Sequence, residues 1–234
     1  GIINRIVSSI APREDDNLVE IGPGKGAITA LLLEACPRLN VVELDRDLIP
    51  ILLAQFAIHP TFKIHQADAL KFDFAQLSGD KPLRIVGNLP YNISTPLLFH
   101  LLRHRERILD MHFMLQKEVV ERMAAPPGGK AYGRLSVMLQ VSCAVSALFE
   151  IGPESFEPPP KVHSALVRLC PRAEPLVAQT EMAGFSALVT KAFSQRRKTL
   201  RNNLKGSLDA EQIGQLGIDP GARTETLPID DLIR

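Results

Sequence analysis

The sequence predicts an α/β fold: a mostly parallel sheet with helices on both faces, then a small all-helical region. Three observations predict it. Short apolar strand-like runs alternate with helix-like runs from residue 18 to about residue 117, the pattern of a parallel sheet covered on both sides. Three glycines, Gly22, Gly24 and Gly26, separate the first strand from its helix. Beyond residue 175 the strand pattern ends and every remaining segment reads helical.

The elements follow in order. Ile2, Ile3, Ile6, Val7 and Ile10 recur at helical spacing with no cap before them, so a helix opens the chain and a natural segment is expected ahead of Gly1. Residues 18–21 read as a buried strand and 27–35 as a helix; 40–44 and 47–56 repeat the pair. Residues 62–65 form a third strand ending at Asp68 and Ala69, and 83–86 a fourth ending at Asn88. A helix over 95–102 carries a proline in its first turn, where a missing N–H costs nothing. Residues 111–115 are a fifth strand, with a helix from about Lys117. Residues 137–145 are apolar without clear alternation and read equally as helix or strand. Residues 149–151 are expected to pair with 164–169 as a terminal antiparallel pair, bringing the sheet to seven strands. After a linker at 171–175, helices are expected over 181–204, 210–216 and from Pro228. The division is therefore placed at 1–172 and 173–234.

Composition narrows the class. A chain of 234 residues holds one large domain, or a large and a small one. No stretch approaches the roughly 18 apolar residues of a membrane span, and the N-terminus lacks the build of a signal peptide. Cys36, Cys143 and Cys170 lie far apart with no C-x-x-C pair, which argues against a disulfide framework or zinc site and fits a reducing cytoplasm. The net charge is +1, so nucleic-acid binding must come from local clusters.

Glycines between strand and helix let backbone approach a ligand closely, beside free N–H groups at the helix start. Dinucleotide sites favour G-x-G-x-x-G. Here the glycines alternate as G-x-G-x-G, the spacing commoner where the ligand is S-adenosylmethionine, which has no phosphate. A bare turn is the plainer alternative, and three glycines are costly in a mere turn. Glu43, ending the second strand, is placed to accept both ribose hydroxyls, with Asp45 the competing candidate. Asp68 is placed to accept from an adenine amino group, although a turn-forming role explains it as well.

Asn88-Leu89-Pro90-Tyr91 follows the fourth strand, at the sheet edge where ligands of open α/β sheets bind. An aromatic exocyclic amine is a poor nucleophile because its lone pair is delocalised into the ring. Acceptors at the Asn88 side chain and the Leu89 carbonyl would favour a pyramidal nitrogen whose lone pair points at a methyl donor. Tyr91 would stack on the base. Transfer would then be one in-line displacement from a sulfonium, requiring no metal, no protein nucleophile and no strong base. A proline turn with Asn as turn former is the alternative.

On these residues the chain resembles the ribosomal RNA adenine N6-dimethyltransferase family, especially its small-subunit branch. The matching stretches are residues 19–26, 42–47, 66–69, 87–94, 132–137, 156–162 and 195–202. The resemblance implies a Rossmann-like class I S-adenosylmethionine methyltransferase domain plus a helical RNA-binding domain. It implies S-adenosylmethionine as cofactor, with S-adenosylhomocysteine as product. It also implies 16S rRNA in the immature small subunit as partner, and transfer to two adjacent adenosines near the rRNA 3′ end during ribosome assembly. Glu20, Gly22, Gly24, Gly26, Glu43, Asp68, Ala69 and Asn88 would bind the cofactor. Asn88, Leu89, Tyr91 and Phe156 would serve the target base, although Phe156 reads equally as a core residue. The family's Gly-Gln-(Asn/His)-Phe-Leu segment is absent ahead of residue 1 and the final helices fall short, so weaker cofactor binding is expected of this stretch alone.

The cations favour RNA. Residues 182–208 contain no acidic residue. Read as one helix, they place Val189, Phe193, Leu200 and Leu204 in an apolar stripe with Arg197, Arg201 and Lys205 along its flank. Arg196 and Lys198 join this set, and Arg103, Arg105 and Lys161 extend it. A solvated basic face is the alternative. Two other roles fit parts of the pattern: an assembly factor acting by binding alone, and a large-subunit methyltransferase of the macrolide-resistance type. A nicotinamide dehydrogenase would need a third glycine later. No membrane partner is expected, and a monomer is the default.

Overall fold

The computed structural model describes residues 1–156 and 158–234. The chain forms two compact units: Gly1–Lys117 with Ser146–Pro171, and Glu118–Val145 with Arg172–Arg234.

The first unit carries a seven-stranded sheet, apart from residues 143–145 at the start of its sixth strand. Its strands are β1 (Asn17–Ile21), β2 (Asn40–Glu43), β3 (Lys63–Gln66), β4 (Leu83–Asn88), β5 (Ile108–Gln116), β6 (Cys143–Ile151) and β7 (Ser164–Pro171). They lie in the order β3-β2-β1-β4-β5-β7-β6. β1 to β5 run parallel, and β7 returns antiparallel to β5. Because β1 sits between β2 and β4, the order reverses beside it, which opens a crevice beyond the carboxyl ends of β1 and β4. The crossover helices are short: α2 (Thr29–Ala35), α3 (Leu48–Gln55) and α4 (Ser94–Leu102). α1 (Ile2–Ile10) precedes the sheet.

Strand burial explains the apolar runs. Leu18, Val19, Val41, Leu83, Ile85, Met111 and Phe113 are fully buried, as parallel strands covered on both faces require. Ile6 and Ile10 of α1 pack with Leu32, Val86, Met114 and Leu166 in one apolar cluster. The residues read as 149–151 belong to the longer strand β6, which lies next to β7 as expected.

Two divisions along the chain become visible in the structure. The helix expected from about Lys117 is α5 (Lys117–Ala124), and the undecided 137–145 segment is split between α6 (Arg134–Gln140) and the start of β6. One division between the compact units falls between Pro171 and Arg172, next to the boundary read at 172, and a second groups Glu118–Val145 with the C-terminal helices. Tyr132 supplies the reason. It is fully buried, donates its hydroxyl to the Leu227 carbonyl at 2.8 Å and stacks edge-on against Phe193 at 5.9 Å. Burial pushes its phenol up to about 12, so it remains a donor. Arg134 adds bonds to Thr190 and Ser186 of α7 (Met182–Ala192).

The single helix read over 181–204 is also broken. α7 ends at Ala192, and helix resumes only at α8 (Leu200–Asn203). The Asn203 amide donates to the Ala192 and Gln195 carbonyls at 2.9 and 3.0 Å, and the Thr224 hydroxyl also donates to Ala192 O. These side chains take the carbonyls that a continuing helix would have bonded. Two short helices, α9 (Ala210–Gln215) and α10 (Ile229–Ile233), complete the chain as expected.

Candidate active site

The glycine turn follows β1. Gly22, Gly24 and Gly26 have φ of 65°, 58° and 86°, the left-handed region that only glycine enters freely. Gly26 is constrained twice, since a Cβ there would come 2.9 Å from the Phe56 ring. At Gly24 a Cβ would meet nothing within 4 Å, so its bare backbone faces open space.

Asn88 ends β4 and is exposed, while Leu89 beside it is buried. Leu89 N–H donates to the Met114 carbonyl at 3.2 Å, pinning the loop to β5. A Cβ on Gly87 would lie 2.7 Å from the Ile21 carbonyl, so only glycine lets β4 carry Asn88 this close to the end of β1. A Cβ on Gly22 would lie 3.9 Å from the Asn88 carbonyl. The two loops therefore meet. They line one cleft of about 830 Å³, and its walls bring together Glu20, Gly22, Gly24, Asn88, Leu89, Tyr91 and Phe156. Tyr91 is 52% exposed, leaving its ring free to stack. Phe156 serves both readings: it lines the cleft and packs against the apolar cluster.

Glu20 is buried at the cleft floor and accepts from the Thr29 hydroxyl at 2.6 Å. Burial pushes its carboxyl up to about 8, with the Glu43 charge adding to the rise and the Thr29 bond opposing it. A cationic ligand group in the cleft would draw the negative form out.

Glu43 is not among the residues lining this cleft. Its Oε1 accepts from Gly24 N–H at 3.3 Å and its Oε2 from Asp45 N–H at 3.0 Å, so it braces the glycine turn from the end of β2. Asp45 is exposed, its carboxylate occupied by Asp47 N–H. Asp68 follows β3 and accepts from Leu70 N–H at 3.0 Å, the turn-forming role, and among the described residues its second oxygen is left over. Ala69 is buried. Gly26, Asp68 and Ala69 also lie outside the cleft lining.

Sequence reasoning missed several walls. Ile2, Ile3 and Ile6 of α1 line the cleft, as do Met114, Gln116 and Ser164 from β5 and β7. The apolar stripe of α1 was visible, but the surface it covers was not.

Of the expected RNA-facing cations, Arg197 and Lys198 are exposed on the loop between α7 and α8, Arg201 lies on α8, and Lys205 follows it. Arg196 is exposed as well, and its guanidinium donates to the carbonyls of Gly129, Lys130 and Tyr132, tying down that loop. In the first unit Arg103 and Lys161 are exposed, and Arg105 lies 3.9 Å from Glu106.

The family model for ribosomal RNA adenine dimethylase matches residues 1–234. The chain belongs to the ribosomal RNA adenine dimethylase family. It is 63% identical to ribosomal RNA small subunit methyltransferase A of Saccharophagus degradans, over all of this chain and 87% of that protein. It is 56% identical to the protein of the same name from Pseudomonas aeruginosa, of which it covers 88%. Among solved structures, a dimethyladenosine transferase from Plasmodium falciparum superposes with a TM-score of 0.78 at 29% identity, covering 93% of this chain and 76% of that one. The 23S rRNA methyltransferase ErmE shares the fold, with a TM-score of 0.79 at 23% identity over 99% and 93% of the two chains. This adenine dimethylase thus has the Rossmann-like methyltransferase fold expected of it. Among the described residues, no helix is long and apolar enough to cross a membrane.

Proposed function

We propose that this chain dimethylates the N6 amines of two adjacent adenosines near the 3′ end of 16S rRNA, within the immature small subunit. On this reading it acts as a monomer in the cytoplasm. The reading is carried by one observation: the glycine turn and the Asn88–Tyr91 loop line a single cleft, so a methyl donor on one side can face an amine on the other. Its two high-identity relatives named above are both small subunit methyltransferases.

S-adenosylmethionine, when bound, supplies an activated methyl group. The chain's residues fit that cofactor: open backbone at Gly24, a buried acid at Glu20 and a cleft of about 830 Å³ beside both. Glu43 contributes by holding the glycine turn, and the remaining oxygen of Asp68 stands at the same sheet edge. On the other side, the Asn88 side-chain oxygen and the Leu89 carbonyl accept the two N–H groups of the target amine. They favour a pyramidal nitrogen and stabilise positive charge arriving there. Tyr91 and Phe156 fix the plane of a base taken out of its stack. The apolar wall of α1 excludes water from the reacting atoms. The proton leaves afterwards, so no strong base is needed.

The test is labelled methyl transfer to unmethylated small subunits, stripped 16S rRNA and stripped large-subunit RNA, followed by nucleoside analysis. N6,N6-dimethyladenosine in the small subunits alone is the expected result. Transfer to stripped large-subunit RNA instead would overturn the substrate assignment. Tight particle binding without transfer would make the chain an assembly factor.

A further inference from the structure

Beside Asn88 the cleft holds a second set of polar side chains that the mechanism above leaves unused. Strand side chains alternate between faces. Val86 and Asn88 of β4 therefore share a face, as do Met114 and Gln116 of β5, and Leu166 and Ser164 of β7. Val86, Met114 and Leu166 belong to one buried apolar cluster with Ile6 and Ile151. Two residues nearer the cleft, each strand exchanges its apolar side chain for a polar one: Asn88, Gln116 and Ser164. β4, β5 and β7 are neighbours, Asn88 pairs with Met114, and Gln116 stands directly opposite Ser164. All three polar residues line the cleft that Tyr91 and Phe156 also line.

Ser164 is 7% exposed and Gln116 is half-buried. Among the described residues, no hydrogen bond ties down either side chain. In the open cleft water can bond to both groups, and a ligand with matching polar atoms can take the place of that water. Aliphatic residues like those one step earlier would have completed the same packing.

We propose that Gln116 contacts the target base, its amide N–H donating to adenine N1 while Asn88 and Leu89 hold the N6 amine. A flipped base is read along its Watson–Crick edge, and N1 is the acceptor next to the amine on that edge. Ser164 is a positioning residue: directly opposite Gln116, its hydroxyl is placed to accept from the second amide hydrogen and set the amide's orientation. The inference rests on reading this cleft as the target-base site.

The test uses small subunits reconstituted with adenosine, 1-deazaadenosine or 7-deazaadenosine at the target positions, with the wild-type chain and Gln116→Leu. The wild type should lose about tenfold to a hundredfold in kcat/KM on the 1-deaza particle. Gln116→Leu should lose as much on adenosine and nothing more when N1 is removed. The cycle cancels any intrinsic effect of the missing nitrogen. The thermal shift with S-adenosylhomocysteine should be unchanged in the variant. If Gln116→Leu does not fold, Gln116→Asn carries the same comparison. The inference is overturned if the variant keeps the full 1-deaza penalty, or if the coupling appears with 7-deazaadenosine instead. A wild type that methylates no adenosine at all would sink the reading of the cleft itself, whereas an active wild type with an uncoupled Gln116 sinks this inference alone.

Discussion

Glu20 shows how a single side chain prepares the cleft for a cationic ligand. Its carboxyl is pushed up to about 8 by burial, so the folded chain holds a proton there that the unfolded chain releases near pH 4.5. The native state then binds more protons across that window, and stability falls as pH rises through it. Glu20→Gln keeps the Thr29 contact without a charge. Thermal melts of the ligand-free chain should show the variant gaining on the wild type from pH 6 to 9, by on the order of a few kcal/mol. Parallel melting curves would contradict this. Asn88 carries the opposite kind of prediction. Asn88→Ala should lower methyl transfer by about a hundredfold or more while leaving particle binding intact; loss of both would make the loop structural. Asn88, Tyr91 and the three glycines were legible because turn chemistry and spacing are local. The need for glycine at 87 was not, because it comes from the Ile21 carbonyl on another strand. Gln116 was missed for the same reason: its face is defined by register with β7.

Among the elements, α1 depends most on a distant anchor. The helix ends at Ala11 with φ of 49°, a non-glycine residue in the left-handed region. Arg84 donates to the Ile10 and Ala11 carbonyls there and pairs with Asp16 at 2.8 Å and Asp110 at 2.9 Å. Arg168 takes the Ser9 carbonyl at 3.1 Å. Cations on helix C-terminal carbonyls satisfy groups the helix cannot bond itself. With its C-terminus clamped, α1 presents Ile2, Ile3 and Ile6 to the cleft. Arg84→Met would leave two carboxylates without their partner and should cost about 3–5 kcal/mol, read as a lowered denaturation midpoint at unchanged m-value. A loss under 1 kcal/mol would show that the clamp contributes little. Periodicity revealed the helix, but nothing local revealed its anchor. Across 181–204 periodicity misled, because the stop is imposed by Asn203 and Thr224 from later in the chain.

For the whole molecule, alternation along the chain was enough to read a parallel sheet, while the strand order and the grouping of Glu118–Val145 with the C-terminal helices emerge only in three dimensions. With a net charge of +1, binding to RNA rests on local cations rather than on the global field. Arg197, Arg201 and Lys205 are exposed and should act as phosphate contacts. Replacing all three by Gln should weaken particle binding and reduce the slope of log affinity against log salt by about one per contact. The Arg196→Gln variant should instead lower thermal stability, since that side chain ties down carbonyls. An unchanged slope in the triple variant would move the RNA surface elsewhere.

The most direct measurement is a crystal structure of the chain with S-adenosylhomocysteine and adenosine bound together. The sulfur should lie along the Gly22–Gly26 turn, with the adenosine N6 within hydrogen-bond distance of both the Asn88 side-chain oxygen and the Leu89 carbonyl. Adenosine seated away from that loop, or an N6 turned away from the sulfur, would contradict the account.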